Sequence, residues 1–481
     1  MTQAAQLVLG FLYSTQSTRS AFDFARLFLA CLLTMTASSG LAQQTTRNIP
    51  TWSVESLPPS TLLWKARIGR DAGTPVVYRN LVLIGTNNDA QWDPNVVGDH
   101  AALMCFALDN GTFVWQMTHA RLDHRAHDLP GIGLMCRPCI DDNRCYYQNN
   151  RGEVTCIDLQ TRRNATPSVA WKLDLVGKLG IFKRDACDIG NPQPSPVIDG
   201  DTVYCVSGNG STFGYPFDFG HLPFVPRPSA PSFLAIDKKD GHVRWSSNAP
   251  GADIQYGQWG SPTIAIVDGT PIVLFPGGDG CLYAFKQVDG TLVGKINCNG
   301  SRAKRWEVDR RGERVYCLSR PTIFGNMAYF GLNQDLEKRG DVSCPVMAID
   351  LRRMREGDPV AIRWKFTDKS FDGTVGPVAA DEKCIYAMSG NGLLVALDRA
   401  TGQVKFRCEL SGASRFGGPV INRGRLFVAS EEDLWVFSIG EEIKCRVRIQ
   451  FNEQLMGDPT PNGEKIIIAS GGHLWCIRLP E

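Results

Sequence analysis

The sequence predicts an all-β chain folded as an eight-bladed β-propeller. Three observations predict it. A four-strand module recurs eight times after residue 60. Gly 48 and Pro 28 together make 76 of 481 residues, roughly 16% against an average near 12%, as many short strands and tight turns require. The eighth module stops after three strands, while a strand-like Leu62-Leu63-Trp64-Lys65 stands unpartnered before the first.

Each module opens on a Pro-led apolar strand, at Pro75, Pro138, Pro196, Pro262, Pro321, Pro377, Pro419 and Pro459. Proline suits the head of a strand, where the ladder can spare an N–H. Second strands follow at Leu81–Gly85, Arg144–Gln148, Thr202–Ser207, Pro271–Phe275, Met327–Gly331, Lys383–Ser389, Arg425–Ser430 and Lys465–Ser470. A third strand carries Ala-x-Asp or a variant, and a fourth often ends on Trp. Pairing Leu62–Lys65 with His473–Leu479 closes the ring and removes both sheet edges.

The domain plan is a secretory signal over 1–42, a linker over 43–60 and a single propeller over 61–481. Arg19 and Arg26 precede an apolar run, Leu27 to Met35, and Gly40-Leu41-Ala42 supplies small residues for cleavage after Ala42. Cys31 follows Leu29-Ala30 in lipoprotein fashion, but the apolar run before it is short and continues beyond it. The mature chain is then exported, periplasmic or secreted. It carries 49 basic and 48 acidic residues once two Arg and one Asp are removed. That balance lacks the electrostatic footprint of a nucleic-acid binder. No stretch after residue 45 is long and apolar enough for a membrane-spanning helix.

Of 16 Cys, 15 remain after residue 42. Cys105, Cys156, Cys205, Cys281 and Cys476 sit in strand-like runs and read as small buried hydrophobes. Cys136-x-x-Cys139 has no following His for haem attachment, and with Cys145 it lacks a fourth zinc ligand. Cys298 and Cys317 flank a charged loop and are the best-placed pair for a disulfide.

Blade three reads Ala235-Ile-Asp237-Lys-Lys-Asp240-Gly241-His-Val-Arg-Trp245, and blade six reads Ala396-Leu-Asp398-Arg-Ala-Thr401-Gly402-Gln-Val-Lys-Phe406. These resemble the docking motif of the PQQ-like, or quinoprotein-type, propeller repeat. Ala107, Asp109, Gly111 and Trp115 keep it in blade one; Asp158 and Trp171 in blade two, and Asp350 and Trp364 in blade five, keep it around insertions. Blades four, seven and eight are degenerate, with Lys286 standing where blade four should have Asp. The resemblance implies that the Trp packs between blades, so these residues are structural. It also implies two kinds of function: PQQ- and calcium-dependent dehydrogenases, and BamB-type propellers that bind protein without a cofactor. The chain has no adjacent Cys-Cys pair and no haem motif, features common beside PQQ or in electron transfer in the first kind.

The long connections point to a binding face. Asn87–Ala102, Thr118–Gly133, Lys172–Asn191, Ser211–Ser232, Ser246–Gly260, Cys298–Arg320 and Asn333–Cys344 all fall in second-to-third-strand loops or blade-to-blade connections of blades one to five. In a propeller these open on one face. His119, Asp123, His124, His127 and Asp128 crowd one of them, without metal-motif spacing, and read as a solvated, charge-mixed loop. Phe213, Tyr215 and Phe217, with Phe219, His221 and Phe224, make another aromatic enough to cap a pocket or hold a partner. Trp306 sits in a third among basic residues. Arg137 and Arg320 precede the opening Pro of blades two and five, and Asp458 holds that place in blade eight. This puts two guanidinium groups near the channel mouth, suited to a carboxylate-rich ligand such as PQQ or to pairing with acidic residues. No nucleophile elbow is present.

The expectation is an exported, non-catalytic binding or scaffolding propeller. Its partner would be an envelope protein or a small ligand. The alternative is a quinoprotein oxidoreductase with PQQ and Ca2+.

Overall fold

In the computed structural model, eight antiparallel sheets form the predicted ring. It describes residues 49–479 except 124–126, 161–164, 185–192, 213–222, 256, 302, 306–313, 318, 334–343, 375, 411 and 413–416. Within each blade the strands pair in chain order, from Val76–Tyr78, Leu81–Asn87, His100–Ala107 and Phe113–Ala120 in blade one onward. Blade eight is composite: Leu455–Asn462, Lys465–Ser470 and His473–Arg478 are completed by Leu62–Arg67. Trp64 lies opposite Cys476 in that antiparallel closure, as the spare strand and the missing one imply.

The segment read as a linker holds an unforeseen element. Thr51–Ser53 adds a fifth strand to blade seven, parallel to Lys444–Gln450 and pairing Trp52 with Ile449. Three residues in a parallel pairing leave no alternation long enough to read from sequence. Val54 and Leu57 follow it into the core, where they pack with Phe427, Ile449 and Trp475.

Five of the eight blade seams are fastened by one repeated contact. A fourth-strand Trp lies against the next blade's turn and donates its indole N–H to a carbonyl there. The contacts run from Trp64 to Leu108 (2.8 Å), Trp115 to Gln160 (2.8 Å), Trp171 to Lys238 (3.0 Å), Trp245 to Gln287 (2.8 Å) and Trp364 to Arg399 (3.0 Å). Where the turn ends in Gly, the ring fills the space a Cβ would need, 2.6 Å away at Gly241, whose φ of +80° favours Gly independently. Blade four keeps this acceptor half although its motif looks degenerate. Its backbone still closes the turn through the Lys286 and Gly290 N–H groups, and Gly290 meets Trp245. An Asp side chain is therefore dispensable for the turn.

Candidate functional site

The inner strands begin on the face where the second-to-third-strand loops and blade connections open. The observed strand limits place every long connection named above on that face: Asn87 to His100, Ala120 to Cys139, Asp174 to Val197, Val206 to Phe233, Ser247 to Thr263, Asn297 to Thr322 and Gly331 to Val346. In blades six to eight the second and third strands meet over short turns, Met388 to Leu393, Ser430 to Asp433 and Ser470 to His473.

At the centre of that face is a cavity of about 330 Å³, lined by Thr74, Arg137, Ser195, Ser261, Arg320, Gly376 and Asp458. These are the residues immediately before the opening Pro of seven blades; Gly418 is the eighth. A partial circumferential belt of hydrogen bonds joins some of them to the next blade. The Arg137 N–H donates to Ser195 Oγ (2.9 Å) and the Ser195 N–H to Ser261 Oγ (2.9 Å). The Gly418 N–H donates to Asp458 Oδ1 (2.8 Å), and the Asp458 N–H to Thr74 Oγ1 (2.9 Å). One step along, Thr263 and Thr460 donate hydroxyls to the carbonyls of Pro321 and Pro75 in the next blade, each at 2.9 Å.

The structure thus brings the two predicted arginines into one cavity with Asp458. Arg137 Nη1 lies 3.9 Å from Asp458 Oδ2, a loose pair. Arg320 has no ion pair or side-chain hydrogen bond among the described residues. Its surface is open to the lumen, yet protein surrounds it, and that enclosure, with Arg137 nearby, lowers its pKa from the usual guanidinium value. Sequence reasoning missed the belt, because Ser195, Ser261 and Thr74 look ordinary until the ring sets them side by side.

The remaining predicted residues separate. Asp123 is exposed. His127 Nδ1 meets the Lys183 carbonyl at 2.5 Å and the ring packs edge-on to Phe182. His124, Phe213, Tyr215, Phe217 and Trp306 lie outside the described residues. The expectation of a solvated loop fails for His119 and Asp128, both buried. His119 Nε2 meets Tyr147 Oη at 2.9 Å, and its Nδ1 meets Asn149 Nδ2 at 3.4 Å. Asp128 accepts from the Leu122 N–H and Asn150 Nδ2, each at 2.7 Å. Blade two supplies Tyr147, Asn149 and Asn150, so the loop is stitched to its neighbour.

The predicted disulfide pair is brought together but not bonded. Cys298 and Cys317 carry free thiols in one apolar cluster, and the Cys298 thiol is directed to the Ile296 carbonyl. Among the described residues one trio of metal-type ligands converges: Asp237, Asp240 and His242. It sits in the blade-three docking turn, where Asp237 already pairs with Arg244 and Asp240 with His242 at 2.7 Å.

The described residues around the mouth do not fit PQQ with calcium. Calcium takes six to eight oxygen ligands. Among the described residues Asp458 is the single lining carboxylate, and its Oδ1 and the hydroxyls of Thr74, Ser195 and Ser261 already accept belt hydrogen bonds. Among the described residues no aromatic ring lines the cavity to hold a planar quinone.

Ring, docking tryptophans and motif turns together define a propeller of PQQ-like repeats. The chain belongs to the family described as outer membrane protein assembly factor BamB, which matches residues 99–316 and 361–443. Among solved structures it is similar to BamB from Moraxella catarrhalis, with TM-score 0.57 and 14% identity over 87% of this chain and 99% of that one. It is also similar to Sqt1 from Saccharomyces cerevisiae, with TM-score 0.56 and 12% identity over 88% and 100%. At such identities the likeness concerns the fold. No curated protein matches the sequence. Among the described residues no helix is long and apolar enough to cross a membrane.

Proposed function

We propose that this chain is an exported, non-catalytic binding or scaffolding propeller of the cell envelope. It engages a protein partner through the loop-rich face over blades one to five. One observation carries the reading: seven long connections of blades one to five open on the face that holds the channel mouth. Rigid sheets presenting long loops on one side are a common binding design. Membership of the BamB family supports a role in envelope assembly, and the signal-like segment ending at Ala42 supports export. The donor set at the mouth gives the oxidoreductase alternative no support.

The test is cross-linking of the full chain expressed in envelope-bearing cells, with cross-linked peptides mapped by mass spectrometry. A mature N-terminus at Gln43 and cross-links concentrated in the connections of blades one to five are expected. Cross-links confined to the opposite face, or a chain retained in the cytoplasm with residues 1–42 intact, would refute the reading.

A further inference from the structure

The belt around the mouth is incomplete in a patterned way. Where the next blade's residue is Ser, Thr or Asp, the inner N–H donates along the ring to its side-chain oxygen. Where the next residue is Arg or Gly there is no side-chain oxygen. The N–H groups of Thr74, Ser261, Arg320 and Gly376 accordingly make no hydrogen bond among the described residues. Two of these gaps coincide with the arginines: Thr74 precedes Arg137 around the ring, and Ser261 precedes Arg320. Each arginine therefore follows, one blade along the ring, a residue with a spare backbone donor.

We propose that the channel mouth is a carboxylate-binding site. A ligand oxygen completes the belt at Ser261 and Arg320, where other blades use their own Ser, Thr or Asp oxygen. The Thr74 and Arg137 pair offers a second such place. Among the described lining residues two guanidinium groups face one carboxylate, and Asp458 already accepts the Gly418 N–H, so these residues together carry a net positive charge. A carboxylate answers both the charge and the missing acceptors, as a neutral hydroxyl does not. Enclosure by protein and then the nearby Arg137 lower the pKa of Arg320, and the charge of Asp458 offsets them only in part. The cavity has room for about ten waters at roughly 30 Å³ each. That suits a small dicarboxylate or a single acidic side chain of a partner. The site is independent of whether the surrounding loops capture a protein.

The experiment is calorimetric titration of the full chain with malonate and, separately, with the end-capped peptide acetyl-Gly-Asp-Gly-amide. Saturable binding of malonate is expected, weakened at least tenfold in Arg320→Gln. Asp458→Asn, which keeps an oxygen for the Gly418 N–H, should tighten it several-fold by removing the competing charge. Saturable binding of the peptide alone, equally sensitive to Arg320→Gln, would support the site and identify its source as a protein side chain. No saturable heat with either probe would overturn the proposal, as would binding that survives both Arg320→Gln and Arg137→Gln. Neither failure would disturb cross-links mapped to the loops.

Discussion

Gly294 holds in blade four the register position that Trp245 holds in blade three. Gly294 lies opposite Ala284 as Trp245 lies opposite Ala235. A Cβ on Gly294 would stand 2.3 Å from the Met354 carbonyl oxygen. That carbonyl belongs to the 3₁₀ helix Leu351–Glu356, inserted after the third strand of blade five. The helix replaces the absent indole, with Leu351 and Met354 buried alongside Ile296 in one cluster. Asp350 caps it by accepting the Arg352 N–H at 3.2 Å.

Gly294→Ala should therefore destabilise the ring, because the obstacle is backbone and cannot rotate away. Overpacking of this kind costs about 1–3 kcal/mol. Urea unfolding should show a lower midpoint with an unchanged slope. An unchanged midpoint would mean the helix yields freely and does not fasten this seam.

The docking tryptophans give a graded series. Trp171→Phe keeps the packing and removes the indole donor, leaving the Lys238 carbonyl without it. It should cost about 1 kcal/mol. Trp171→Ala should cost about 3–5 kcal/mol. Gly241→Ala forces a Cβ into the same ring at positive φ and should fall between them. Thermal melts of the three variants check the order; equal losses would show that burial at this seam is not what the indole contributes.

The ring was legible because its signals are local. Arg144–Gln148 and Arg425–Ser430 form with the predicted bounds, since apolar runs bounded by turn residues need no distant partner to be recognised. Closure was legible too, from a strand missing at one end and spare at the other. Gly294 was not: its meaning depends on Met354, sixty residues away in another blade. His119 and the belt serines share that difficulty. Arg137 and Arg320 were found because the repeat fixes where the residue before each opening Pro must stand.

The cysteines yield a prediction about access. All 14 described cysteines are free thiols, and only Cys139 and Cys445 are partly exposed. Burial pushes several of these thiols up, Cys156 and Cys476 to about 11 and Cys136 to about 12. A thiolate is the reactive form, so the native protein should react slowly with Ellman's reagent at mildly alkaline pH and rapidly in urea. A fast native phase of several thiols would contradict this packing. Non-reducing peptide maps should show Cys298 and Cys317 unlinked.

His119 makes stability depend on pH. With Nδ1 accepting from Asn149, the ring proton sits on Nε2 and is donated to Tyr147 Oη. A second proton on Nδ1 would face the Asn149 amide donor in a buried site. Burial, the main cause, lowers the His119 pKa to about 4 from an ordinary 6.5. Between those values the unfolded chain binds the proton and the folded chain does not. Stability is then complete above pH 6.5 and falls as pH drops toward 4, by on the order of 3 kcal/mol at 1.36 kcal/mol per unit. Other carboxylates add their own acid sensitivity, so the comparison must be with a variant. His119→Asn cannot gain the proton and should flatten the pH 4–6.5 part of the urea-midpoint profile. Identical profiles for the two proteins would place the titration of this histidine outside the folding equilibrium.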